Sequence, residues 1–226
     1  MSEQVNERRA PGDWSVEGEP FVGFGAAELA YLLSRYEGPA VDRTAELLRV
    51  DRNAASEEFV AAGASSLLAR GLLKLRGDQL DLVGPAAATA YALAGAEHWT
   101  ELAFMIDRET AADGALVLRA GSVVTLLQPR ALGTWFVLAK EPGVETAEAV
   151  VALADGFLAG HEGGAVFLAA HSAAGDATAF LRRSAESQWE LARGEAVFWE
   201  PGIEVSGRDS AVSLVAQLLS ASGVEL

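Results

Sequence analysis

The stretch SSLLARGLLKLRGDQLDLVG, residues 65–84, decides how the first half of the chain is read. Leu73 and Leu75 alternate with Lys74 and Arg76, and Leu80 and Leu82 alternate with Gln79 and Asp81. Period-two alternation on both sides of Gly77-Asp78 predicts a β-hairpin with one apolar face. The residues before it, SEEFVAAGASSLLARG, predict a helix with Ser56 as N-cap and Gly71 as its stop, with Val60, Ala64, Leu67 and Leu68 as the buried stripe. A shorter helix, DRTAELLRV, lies upstream, so residues 42–83 carry the helix, turn, helix, hairpin order of a winged helix.

A winged helix that reads DNA meets base edges with the start of its second helix. Here that start is Ser56-Glu57-Glu58-Phe59, two carboxylates and a phenyl ring, and Lys74 and Arg76 of the hairpin are offset by Asp78 and Asp81. Phosphate contacts by Lys and Arg supply most non-specific affinity for nucleic acid, and this surface offers few. The whole chain carries a net charge of −15 over 226 residues. Ten Lys/Arg face nineteen Asp/Glu in residues 1–113, and seven face thirteen in residues 114–226, so the acidity is spread rather than gathered in a tail. Nucleic acid is therefore disfavoured as a partner; the acidity reads first as solubility and second as attraction of a basic partner. The alternative reading is a winged-helix transcriptional regulator with an acidic effector domain.

Working outward, residues 1–19 read as a polar leader, residues 20–97 as a mainly helical subdomain with the hairpin, and residues 98–226 as a mixed sheet-and-helix subdomain sharing one core. EPFVGFGAAELAYLLSRYEGP gives a short apolar segment and a helix with Leu29, Leu32, Leu33 and Tyr36 on one face; Pro85 opens an Ala-rich helix to about Glu97. TELAFMI places Leu102, Phe104 and Ile106 on one strand face, GALVLRAGSVVTLLQP is a hairpin around Gly121, and TWFVLAKEPG is apolar on both faces, as a central strand is. TAEAVVALADGFLAG is an amphipathic helix. GGAVFLAAH, TAFLRR, QWELARG, EAVFWEPG and IEV are strands, and RDSAVSLVAQLLSASG is the closing helix. Each half ends a hairpin-rich stretch with an amphipathic helix. The order predicts an α+β fold: a largely antiparallel central sheet flanked by helical segments, with a helix-helix-hairpin N-terminal part.

Half the residues are hydrophobic, yet no apolar run approaches the roughly 20 residues a membrane helix needs. The start, MSEQVNERRAPGDWSVEGEP, has no apolar core of a signal peptide, so a cytoplasmic protein is expected. There is no cysteine, which removes disulfides, thiolate nucleophiles and zinc–cysteine sites. No Gly-x-Ser-x-Gly or phosphate-loop motif occurs, and GFGAAE at residues 23–28 lacks the third glycine of a dinucleotide fingerprint. His161 and His171 flank a strand with Glu162 beside the first, and would have to converge with a carboxylate to hold a metal. No catalytic constellation, cofactor or metal is expected, and the reading is a binding protein rather than an enzyme. Of five tryptophans, Trp135, Trp189 and Trp199 fall in strands, whereas Trp14 sits in the polar leader, where it has the domain or a partner to dock on.

The segments LLARGLL, the hairpin after it, AAATAYALAGAEHW, GALVLRAGSVVTLLQP and SAVSLVAQLL resemble, in that order over residues 20–222, the EspG family of actinobacterial ESX (type VII) secretion-associated proteins. The resemblance implies a central antiparallel sheet with helical bundles beside it, approximate two-fold pseudo-symmetry, and no cofactor. It also implies a cytosolic chaperone that holds a helical-hairpin secretion substrate until export. Candidate partner-binding positions are Trp14, Gly121 in its hairpin turn, and Val212, Val215 and Leu219 on the closing helix, the last three reading first as a stripe buried in the protein's own core.

Overall fold

The computed structural model describes residues 22–52, 54–107, 110–139, 143–184, 188–193 and 203–221. Trp14, Trp199 and the whole of the expected strand EAVFWEPG lie outside the described residues. The fold is α+β, with a large antiparallel sheet and six helices among the described residues.

The chain opens with a short strand, β1 (Val22–Phe24), and three helices, α1 (Ala26–Ser34), α2 (Pro39–Leu47) and α3 (Glu57–Ala69). Each helix starts where its sequence supplies a cap. Pro39 opens α2. The Ser56 hydroxyl accepts the Phe59 N–H at the head of α3. At α1, Glu28 reaches back to accept the Gly25 N–H at 2.9 Å. The hairpin of β2 (Leu73–Arg76) and β3 (Gln79–Leu82) follows in the expected register, as a two-stranded sheet of its own. Then comes α4 (Pro85–Gly95).

The remaining strands are β4 (His98–Met105), β5 (Ala111–Ala120), β6 (Val123–Pro129), β7 (Trp135–Ala139), β8 (Ala165–Ser172), β9 (Gly175–Arg183), β10 (Trp189–Arg193) and β11 (Ile203–Val205). α5 (Thr146–Leu158) separates β7 from β8, and α6 (Arg208–Ala221) closes the chain. The sheet order is β1-β7-β6-β5-β4-β8-β9-β10-β11, with antiparallel pairing throughout. β4–β7 followed by α5 and β8–β11 followed by α6 are thus the same device used twice, a four-stranded meander ending in a helix. The two meet at the antiparallel β4–β8 seam.

Alternation along the strands sends side chains to two faces. On one face Leu102, Phe104, Val117, Leu126, Val166, Leu168, Leu181 and Leu191 pack with Val150, Ala154 and Phe157 of α5 and Ala211, Val215 and Leu218 of α6. This core spans both meanders. On the other face Trp99, Leu116, Leu118, Leu127 and Val137 pack under α1–α4, and that core takes no side chain from β8–β11 among the described residues. The Trp99 Nε1–H donates to the Thr44 hydroxyl at 2.9 Å, tying α2 to the sheet.

Several expectations are corrected. α3 lies tight against α1 at Gly63, whose missing Cβ would lie 1.9 Å from the Ala27 carbonyl oxygen. That contact turns Gly63 and Leu67 inward and leaves Leu68 48% exposed, so Leu68 is not in the buried stripe. Ile106 does not share the buried face of Leu102 and Phe104, because the register shifts between Phe104 and Met105 and β4 ends at Met105. Tyr36 lies past the end of α1 and is exposed. β7 is not a central strand but lies one in from the edge, next to β1.

Candidate binding surface

The one-sided helical layer leaves the outer face of the second meander without a helix among the described residues. Near the seam this face is apolar. Ala103 of β4, Phe167 and Ala169 of β8 and Phe180 of β9 share it, and the rings of Phe167 and Phe180 tilt against each other at 5.0 Å. None of the four belongs to either core. Where this strip meets the edge of the helical layer there is a groove of about 620 Å³. Ala103, Phe167 and Ala169 form its floor, Leu47–Val50 at the end of α2 one wall, and Pro129 and Trp135 another.

Two backbone features border the groove. Arg49 and Leu132 are the non-glycine residues with positive φ among the described residues, at 57° and 61°. Arg49 follows the C-cap of α2, where the Val50 N–H returns to the Ala45 carbonyl at 2.9 Å, a helix ending that glycine ordinarily provides. Leu132, in the turn between β6 and β7, is 99% exposed. It stands between groove-lining Arg130 and Gly133. A left-handed conformation costs a branched residue about 1–2 kcal/mol, and full exposure of a leucine returns nothing within the monomer.

The polar rim carries both signs: Arg49, exposed at the end of α2, and Arg130 line the groove together with Asp113. Glu101 lines the groove, and Asp176 and Glu204 lie further out on the same sheet face. The Arg130 charge is spent internally: its guanidinium donates to Asp113 Oδ2 at 3.4 Å and to Gln128 Oε1 at 2.6 Å and lies over the Phe136 ring. Gln128 also donates to Asp113 at 3.0 Å. Arg182 and Glu190 close a two-pronged pair at 2.7 and 2.9 Å on the neighbouring strands.

The histidines do not converge. His161 precedes β8 at its Met105 end, and His171 lies opposite Trp99 at the other end, about 20 Å away at the rise of a strand. His161 stacks on Phe157 at 4.2 Å, and its Nδ1 meets the Phe157 carbonyl at 2.9 Å. His171 Nε2 lies 3.1 Å from Glu101 Oε1, and Asp176 Oδ1 lies 2.9 Å from Nδ1 but off the line of an N–H bond. No group of three or more metal-binding side chains occurs among the described residues.

The other candidate positions are placed as follows. Val215 is fully buried between α6 and the sheet, with no surface to present. Val212 and Leu219 are partly buried against the same core and line a second cavity, described below. Gly121 sits in an exposed turn with φ 57°, where a Cβ would come 3.9 Å from the Tyr91 hydroxyl of α4. The groove residues went unnoticed in the sequence because Phe167 and Ala169 sit in AVFLAAHS, an apolar run in which either face reads as core. No helix in the described residues is long and apolar enough to cross a membrane.

No protein-family model matches the chain, and no curated protein sequence matches it.

Proposed function

We propose that the protein binds an amphipathic helical segment of another protein along the groove and the apolar strip beside it. In this reading it acts as a cytosolic chaperone of the kind the EspG resemblance implies, holding a helical secretion substrate. One observation carries the proposal: an apolar strip outside both cores, bordered by the fully exposed Leu132. A helix laid into an apolar groove is anchored by residues at i, i+3, i+4 and i+7. The net charge of −15 favours a segment whose polar flanks carry Lys or Arg. The twice-used meander-and-helix unit is consistent with the pseudo-symmetry the resemblance implies.

The test is an affinity capture from the lysate of the source organism, with and without nuclease, using the wild type, Leu132→Asp and Phe167→Glu. The proposal expects a small helical protein that the wild type retains through nuclease treatment and both variants lose. A partner retained equally by both variants refutes the groove. Partners that vanish with nuclease favour a nucleic-acid-binding winged helix instead. One observation favours that second reading, the β2–β3 hairpin standing apart from the main sheet after α2 and α3. Against it, Glu57 and Glu58 are exposed at the head of α3, and Arg76 is paired with Asp81 at 3.4 Å.

A further inference from the structure

A second cavity, of about 410 Å³, lies between one end of the sheet, the first turn of α5 and the closing helix. Its sheet side is formed by His98, Thr100, Arg119 and Ala170, and its apolar wall by Val212, Ala216 and Leu219 of α6. The volume lies in the range of small-ligand sites, toward the lower end.

The charges around this cavity are unusual for a structural void. Arg119 is half-buried, yet its guanidinium makes no hydrogen bond or ion pair with a described residue. Five donors in a fixed fork are thus left for a carboxylate. Across the cavity, Glu145 and Glu148 stand exposed at the head of α5. Each caps the helix reciprocally: the Glu145 carboxylate accepts the Glu148 N–H, and Glu148 accepts the Glu145 N–H at 3.4 Å. A carboxylate has about four acceptor positions, so both retain capacity for a cation. The hydroxyl of Thr146, between them, is buried without a partner. His98 adds no competing charge at neutral pH, since burial and then the nearby Arg119 hold its pKa below the usual histidine value, against a smaller opposing pull from Glu97.

A simple anion would meet Arg119 but be repelled by the two glutamates. A simple cation would meet the reverse. We propose that this cavity binds a small zwitterion, an α-amino acid with an apolar side chain. Its carboxylate pairs with Arg119, its ammonium with Glu145 and Glu148, and its side chain packs on Val212, Ala216 and Leu219. The site faces the α5–α6 side of the sheet, away from the groove, and does not rest on the partner-binding proposal.

The test is calorimetric titration of the full chain with L-phenylalanine, 2-phenylethylamine and 3-phenylpropanoate. Phenylalanine should bind, and each analogue, lacking one charged contact, should bind at least about tenfold more weakly. Arg119→Gln should weaken phenylalanine about tenfold and abolish its advantage over 2-phenylethylamine, while keeping its advantage over 3-phenylpropanoate. Glu148→Gln should reduce the second advantage and spare the first. Absence of phenylalanine binding at roughly 10 mM overturns the proposal, as does equal affinity for all three compounds. So does an Arg119→Gln protein that folds and still prefers phenylalanine to the amine. The wild-type series decides the matter even where a variant fails to fold.

Discussion

Replacing Gly63 by alanine sets local preference against tertiary packing, and the structure predicts which wins. Alanine is favoured over glycine inside a helix by about 1 kcal/mol, so α3 alone should gain. The added methyl, however, would stand 1.9 Å from the Ala27 carbonyl oxygen, 2.5 Å from its carbon and 3.0 Å from the Glu28 nitrogen. These are backbone atoms of α1 and cannot rotate away. Restoring even a tight carbon–oxygen contact requires α1 and α3 to part by about 1 Å, loosening the core that Leu29, Leu33 and Leu67 share. Overpacking of this kind costs typically 1–3 kcal/mol, and a backbone clash belongs at the top of the range or beyond. Net of the helix gain, the expected loss is about 2 kcal/mol, or about 4–8 °C in Tm for a chain of this length. Gly95→Ala is the control. It too adds a methyl to a helix, at the last residue of α4, but meets only the Ala120 Cβ at 3.7 Å, an ordinary contact. Thermal unfolding of both variants should move in opposite directions, Gly63→Ala down and Gly95→Ala level or slightly up. A Gly63→Ala protein as stable as wild type would refute the close approach of α1 and α3.

Two further changes probe the helical layer. Glu28 is buried and accepts hydrogen bonds from Ser66, Arg70 and the Gly25 N–H. Burial alone would raise its pKa, but these bonds and the Arg70 charge together outweigh it and hold the carboxyl below its ordinary value. A depressed carboxylate adds stability that is present above its unfolded pKa and lost as pH falls through its folded one. Glu28→Gln should therefore cost about 1–3 kcal/mol at pH 7 and flatten the loss of stability below about pH 4.5, read from urea unfolding across pH. Arg49→Gly places the preferred residue at a left-handed helix end and should raise stability by up to about 1 kcal/mol in the same assay; a loss there would show that the Arg49 side chain contributes more than its backbone costs.

What the sequence disclosed follows from how far each signal reaches. The β2–β3 hairpin and the head of α3 were legible because Leu73 to Leu82 alternate around a glycine turn and Ser56 precedes the helix, both local signals. The meander-and-helix unit showed only as a loose echo, since turns and amphipathic periods recur in both halves without a sequence repeat. Leu68 was misjudged because helix periodicity fixes a stripe only to within one residue's rotation. The α1–α3 contact at Gly63 that sets the rotation joins residues far apart in the chain. The groove was out of reach for a related reason. In β8 both faces are apolar, so nothing in AVFLAAHS distinguishes Leu168, under two helices, from Phe167, outside both cores. Arg119 in VLRAG reads as an ordinary outward residue of a hairpin until α5 and α6 are placed over it.

The position of the groove follows from an asymmetry in the chain. Two meanders joined at β4–β8 and each followed by a helix would, alone, bury one face of the sheet and expose the other along its whole length. The segment from α1 to α4 covers that second face, but it enters the sheet through β1 beside β7, at the edge of the first meander. A layer anchored there buries Leu116, Leu118, Leu127 and Val137 and ends against the seam. The sequence of the second meander suits this arrangement: on the face without a helix among the described residues β9 and β10 carry Asp176, Thr178, Arg182 and Glu190, whereas Phe167, Ala169 and Phe180 are apolar next to the edge of the layer. Solubility of a sheet face requires only the first set. Retaining the second set beside an exposed Leu132 fits the proposed partner surface, and on that reading Leu132→Asp should leave the unfolding transition nearly unchanged while removing the partner, whereas Phe167→Glu, which also breaks the Phe167–Phe180 contact, should cost about 1 kcal/mol or more.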